Sequence, residues 1–364
     1  MSVLPSRGSG IVPNLVVAQR VIDKMTAAAR QYLEDETGEA MIGLLTPGPL
    51  GDGVPTIYVL DTISPEANAP DHEVIRERYT FQQGDEGHYE IFTWLIENWE
   101  VQRELYRQQG QTRWNHPLRH LGDWHKQPGF MIAPSGGDLA TALEQLDDES
   151  LELDFLLAPI LTMGHPTTTG SGHNTNYLAL PGGIRVDFWY INPTDRIFQP
   201  IMPVVYPDEQ LPALVEYPWY LSDEQRATME FKRFSQNQMF YSILPWNTDS
   251  SLPLEICVAA ARMGGRKVYL LITRPDYPKT APEIRVAPYI AMKPEEDIYD
   301  VFGQWWDQSE PVTPPPDWTW TEDKHLIDLV LHIEKHLGLA PNDGLAPDDG
   351  LTPDETDKSQ EDVP

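Results

Sequence analysis

His125 and Gln127 stand two residues apart in a segment, 119–127, whose pattern predicts a strand. Side chains at i and i+2 of a strand leave the same face, so an imidazole and a carboxamide reach toward one place at the strand's C-terminal end. Pro128 then ends the strand, since it has no N–H to give to a ladder. Ser135 and Asp138 follow after a short loop, and their spacing puts both in the first turn of a helix predicted over 136–146, within reach of the same point. Imidazole, carboxamide and carboxylate can all bind a metal ion, so the chemistry these residues indicate is metal-assisted hydrolysis. Taken singly, each has a plainer role. Ser135-x-x-Asp138 is a capping-box pattern, a lone histidine at a strand end packs structurally, and Glu36 is a solvated residue near a helix C-terminus.

The elements that would position these residues read as α/β. Leu15, Val21, Ile22, Met25, Ala29 and Leu33 recur at helical spacing over 14–35. Strands are predicted over 40–45 and 56–63, with a Pro/Gly turn between them, then a helix over 86–109, the strand and helix already named, and a strand over 184–191. This alternation gives an α/β sandwich of about 200 residues. The proline-dense stretch 199–219 holds the boundary, and Ser222 with Gln225 predicts a capping box that opens a second domain. That domain comprises a helix to about 238, strands over 254–261, 267–273 and 283–287, and a helix over 322–336.

With Glu36-Thr-Gly38 and Gly43 upstream, the stretch 121–138 resembles the JAMM motif of the JAB/MPN metallopeptidases, a family that includes zinc deubiquitinases and bacterial enzymes acting on ubiquitin-like proteins. Glu36, His125, Pro128, Ser135 and Asp138 fall on the motif's places without a gap, and Gly122, Trp124 and Pro134 match the bacterial members. The resemblance implies a cytidine-deaminase-like sandwich over 1–205, a Zn²⁺ held by His125 and Asp138, Glu36 as the base that takes the proton of the metal's water, and Ser135 as oxyanion donor. One place departs, because Gln127 stands where the family has its second zinc-binding histidine. A carboxamide keeps the formal charge but offers a harder donor, so Gln127 is either a weak ligand or a lost one. His120 is on the wrong strand face unless a bulge intervenes, which leaves His165 and His173, in the loop HPTTTGSGH, as candidate substitutes.

Tyr277-Pro278-x-x-x-Pro282, after a helix and a hairpin, resembles the RWD and ubiquitin-conjugating-enzyme-like fold, implying an α+β domain over 210–337. Conjugating enzymes carry their cysteine after this motif, whereas the single cysteine here, Cys257, lies before it inside a predicted strand. Thioester transfer is therefore excluded, and noncovalent recognition of a ubiquitin-like protein, a conjugation-pathway enzyme or a sister subunit remains. Trp305, Trp306, Trp318 and Trp320 serve packing in preference to a contact surface.

Composition bounds the partners. The formal net charge is −30, which repels phosphate backbones and acidic membrane surfaces. One cysteine rules out an intrachain disulfide and a multi-thiolate zinc site. Neither a signal peptide nor a membrane span is predicted, the longest apolar run being 156–163, so the expected location is cytoplasmic. The segment 338–364 reads GLAPND, GLAPDD, GLTPDE, holds eight acidic residues against one lysine, and is predicted to be a disordered acidic tail. Two expectations result. One is a zinc-dependent isopeptidase or peptidase acting on a ubiquitin-like modifier; the other is a JAB/MPN scaffold that binds partners without zinc.

Overall fold

A computed structural model of the chain describes residues 12–48, 53–64, 74–78, 80–82, 86–166, 175–246, 251–293 and 296–338. His173 and the acidic tail beyond Gly338 lie outside the described residues. The fold is mixed α/β. It parts into two units, one of Met1–Glu224 with Asn247–Leu254, the other of Gln225–Trp246 with Glu255–Pro364.

In the first unit the segment predicted as one helix opens as a strand, β1 (Asn14–Ala18), and only then becomes α1 (Gln19–Gln31). The reason is in Leu15-Val16-Val17-Ala18, four consecutive buried residues with two β-branched, which suit a strand buried on both faces. Helix α1 turns Val21, Ile22, Met25 and Ala29 onto β2 (Thr37–Thr46) and β3 (Thr56–Ile63), which pair antiparallel. A small hairpin, β4 (Ile75–Glu77) and β5 (Thr80–Gln82), precedes the long helix α2 (Glu86–Gln108). Then come β6 (Arg119–Lys126), paired antiparallel to β2, and α3 (Gly136–Asp147).

The apolar run 156–163 is split by Ala158-Pro159 into β7 (Leu156–Leu157) and β8 (Ile160–Met163), both parallel to β6. Strands β9 (Tyr177–Leu180) and β10 (Ile184–Asp187) extend this side. The strand expected over 184–191 breaks at Phe188, and its second half is β11 (Trp189–Ile191), which pairs with β7 and β12 (Gln199–Pro200). Strand β13 (Pro203–Tyr206) pairs parallel with β1, so the proline-dense segment adds a strand to the same 11-stranded sheet. A short α4 (Trp219–Ser222) follows, and here the expected cap does not form. The Ser222 hydroxyl donates instead to the Pro218 carbonyl, and α5 (Glu224–Gln236) starts two residues later.

The second unit is an antiparallel meander of β14 (Met239–Trp246), β15 (Glu255–Arg262), β16 (Lys267–Thr273), β17 (Glu283–Pro288) and, after α6 (Ile298–Gln308), the two-residue β18 (Glu310–Pro311); α7 (Leu326–His336) follows. Strand β14 and helix α6 were not expected. Val301, Phe302 and Trp305 of α6 pack on Leu244, Cys257 and Leu270 of the sheet. Trp306 lies against Trp246, Trp318 against His332, and Trp320 donates to the Pro278 carbonyl. Buried Glu230 on α5 accepts from Tyr277 Oη and from Leu326 N–H, and pairs with Arg226 at 2.7 Å. Among the described residues no helix is long and apolar enough to cross a membrane.

Candidate functional site

Strand β6 and the start of β2 build the site together. Gly38 is paired with His125, so Glu36, one residue before the strand, lies on His125's face of the sheet. The Glu36 N–H donates to Glu77 O at 2.9 Å, which ties it to the β4–β5 hairpin. A side chain at 38 has no room. Its Cβ would lie 2.2 Å from Trp124 O and 2.8 Å from Phe81 Cε1. Lys126, on the opposite face and buried, donates to Tyr32 O and to Leu33 O at 2.8 Å, anchoring the loop that carries Glu36. Beyond β6, Gln127 N–H still donates to Leu161 O at 2.9 Å before Pro128 ends the pairing.

Helix α3 brings the remaining residues. Ser135 is its N-cap, with Oγ accepting from Asp138 N–H at 3.2 Å while Asp138 Oδ2 accepts from Ser135 N–H at 2.5 Å. The plain capping role of this pair is thus fulfilled. The same carboxylate also faces the site, with Oδ1 at 3.8 Å from His125 Nε2. Gln127 Nε2 lies 3.1 Å from His125 Nε2 and 3.5 Å from Asp138 Oδ2, and Gln127 Oε1 is buried without a hydrogen-bond partner. Glu36, His125 and Asp138 line one cleft of about 240 Å³, whose other walls include Phe81, Asp123, Leu157 and Phe198.

No protein-family model and no curated protein matches the chain. Among solved structures, the solution structure of a Desulfitobacterium hafniense protein, a structural genomics target, aligns over 53% of this chain and 93% of its own. Its identity is 17% and its TM-score 0.28, so it carries no argument.

The other histidines have other surroundings. A bulge does intervene at Leu121, where Met41 pairs with Gly122 and Ile42 with His120, and it turns His120 to the same face as His125. There His120 Nε2 meets Asp123 Oδ1 at 3.2 Å, and its ring lies edge-on to Phe92. His165 lies edge-on to Phe130. Among the described residues no three His, Cys, Asp or Glu side chains converge as a metal site, and Gln127 is a donor-capable side chain that stands beside both His125 and Asp138. Asp123 and Phe81 escaped the motif reading. Strand alternation two residues before His125 was the available signal for Asp123, and none marked Phe81.

The electrostatics suit proton transfer. Burial and, next, the charge of Asp138 hold the Glu36 carboxyl above its usual range, with Lys126 opposing. Burial pushes the His125 imidazole below its usual value against the pull of Asp138 and Asp123, which keeps a ring lone pair available at neutral pH. Donor atoms bound tetrahedrally to zinc at about 2.0–2.2 Å stand about 3.3–3.6 Å apart. The separations here, 3.1 Å from His125 Nε2 to Gln127 Nε2, 3.5 Å from Gln127 Nε2 to Asp138 Oδ2 and 3.8 Å from His125 Nε2 to Asp138 Oδ1, lie near that edge but involve the amide nitrogen and both carboxylate oxygens, so they are not the edges of one donor triangle. With the amide turned over, the otherwise unpaired Oε1 would be a neutral oxygen donor beside an imidazole and a carboxylate, a donor set whose chemistry suits the ion.

Proposed function

We propose that the first unit is a JAMM-type, zinc-dependent peptidase or isopeptidase acting on a ubiquitin-like modifier or its conjugates. The observation that carries this reading is the meeting of Glu36, His125 and Asp138, from three separate elements, in one cleft, with Gln127 beside both His125 and Asp138. His125, Asp138 and Gln127 would hold the Zn²⁺, which lowers the pKa of a bound water and polarises the scissile carbonyl. Glu36, whose carboxyl burial holds above its usual range, would take a proton from water and return it to the leaving amine. The Ser135 cap uses only an oxygen lone pair, so its hydroxyl hydrogen is left to donate to a developing oxyanion. Phe81, Leu157 and Phe198 give the cleft an apolar wall that excludes water from the reacting bond.

The second unit, in this reading, is an RWD/UBC-like recognition domain. A helix, a five-stranded antiparallel meander and a Tyr277-Pro278 segment anchored on buried Glu230 support it. Cys257 is fully buried in β15 and its thiol is pushed far up by burial, so it supplies no thiolate for thioester chemistry.

One observation favours the scaffold reading. Gln127 presents its amide nitrogen to both other donors and so ties them by hydrogen bonds without an ion. Incubation of the zinc-supplemented protein with a ubiquitin-like modifier extended at its C-terminus by a peptide, followed by mass spectrometry, separates the two. Hydrolase chemistry gives cleavage after the modifier, slowed about 10²–10⁴-fold by Glu36→Gln. Cleavage by neither wild type nor Gln127→His, with both folded, leaves the scaffold.

A further inference from the structure

The hairpin of β4 and β5 places Arg76 directly opposite Phe81, so the two side chains leave the same face of it. On β4 that face is the inward one, since Ile75 and Glu77 are exposed while Arg76 is half-buried. The pair straddles the start of β2. Phe81 lines the cleft with Glu36, whereas Arg76 lines a second pocket, of about 280 Å³, with Tyr32, Thr37 and Gly38. The guanidinium carbon of Arg76 lies 4.4 Å from the centre of the Tyr32 ring and 5.7 Å from that of Phe81, both within cation–π range. Its Nε donates to Oγ1 of buried Thr37 at 3.3 Å. Tyr32 and Thr37 flank Glu36 in the chain. One side chain therefore grips the loop before that carboxylate, the residue after it and an aromatic wall of its cleft.

We propose, on the hydrolase reading of the cleft, that Arg76 is a positioning residue, which holds Glu36 and Phe81 in place relative to His125 and Asp138. Arg76 lines the other pocket and so acts through these two side chains, not on a reacting atom. The backbone bond from Glu36 N–H to Glu77 O ties the loop to the hairpin at one point. The guanidinium adds contacts on both sides of Glu36, to Tyr32 and to Thr37, and these fix the direction in which the carboxylate leaves the chain. The role asks for arginine in particular. Its plane lies over aromatic rings while its Nε donates along a fixed direction, whereas lysine is a point cation on a flexible stem, with neither the flat face nor a donor at that place.

Steady-state cleavage of the peptide-extended modifier by zinc-supplemented, full-length protein tests this. The variants are Arg76→Ala, Arg76→Lys, Glu36→Gln and Arg76→Ala combined with Glu36→Gln, each checked for folding by circular dichroism and for zinc per chain. Both single Arg76 variants should lose about 10–100-fold in kcat, the scale set by displacing a catalytic group by about an ångström, with KM and zinc content unchanged. In the Glu36→Gln background, Arg76→Ala should cost less than about threefold, because the group it positions is gone. A merely structural role would give the same loss in both backgrounds. The proposal is overturned by unchanged kcat in folded Arg76→Ala, by full activity in Arg76→Lys, by equal loss with and without the Glu36 carboxylate, or by loss of zinc from Arg76→Ala. An inactive wild type is a separate result, which overturns the hydrolase reading itself and the positioning role with it.

Discussion

Gln127 concentrates the chemistry of this chain in one amide. Its nitrogen joins His125 to Asp138, its oxygen is buried and unpaired, and a half-turn of the group exchanges a hydrogen-bonded closure for a donor set. Glu36 is the residue whose titration reports on the site. Its folded-state carboxyl titrates above the ordinary value of 4.5, so between that value and its raised one the folded protein holds a proton that the unfolded chain has released. The associated stability is present at low pH and is lost as pH rises through the raised pKa. Glu36→Gln cannot ionise. Thermal denaturation at pH 4.5 and pH 7 should therefore show a smaller pH dependence than wild type, with a midpoint at pH 7 no lower than wild type's. A variant that melts lower at pH 7 would mean that the charged carboxylate is held by favourable contacts. His125, Gln127, Ser135 and Asp138 were legible from residue type and spacing, whereas Glu36, far upstream, was picked out only by the resemblance. The direction of the Gln127 amide and the Asp123–His120 pair were not, since both depend on the bulge and on helix α3 arriving at a particular height.

Among the elements, β6 carries a demanding backbone geometry. Gly122 has φ +116°, and a Cβ there would stand 2.1 Å from Leu157 O, where β6 turns from β2 toward β7. Gly122→Ala should cost about 3 kcal/mol or more, by combined backbone strain and overpacking, with the urea m-value unchanged. A loss below about 0.5 kcal/mol, the level of an ordinary surface change, would show that the bulge relaxes freely. Helical and alternating patterns revealed α2, α3, β3 and β15 to within a residue or two. They failed at β1, whose Leu15 also fits a helical stripe, and at α6, a helix not expected although Val301, Phe302 and Trp305 form one buried face. They failed at β14 too, because Ser242 and Pro245 dilute its alternation and its edge pairs with β15 alone. Local pattern cannot supply such a partner.

For the whole molecule, the division into two units has a consequence that mutation can read. Glu230 in the second unit is fully buried and holds Arg226, Tyr277 and the Leu326 N–H. Glu230→Ala strands those donors and should destabilise by about 3–5 kcal/mol. Zinc content should not change below the melting point, because all three donors belong to the first unit; parallel loss of zinc would show that the units do not fold separately. The net charge of −30 further predicts no retention on immobilised DNA at about 0.15 M salt. The most direct test is zinc per chain, measured by atomic emission on full-length protein after dialysis against buffered zinc, for wild type, Asp138→Ala and Gln127→His. The expected result is stoichiometric zinc in wild type, none in Asp138→Ala, and affinity about tenfold or more tighter in Gln127→His, where imidazole replaces the harder amide. Zinc that appears only in Gln127→His, or that persists in Asp138→Ala, would contradict a centre built from His125, Gln127 and Asp138.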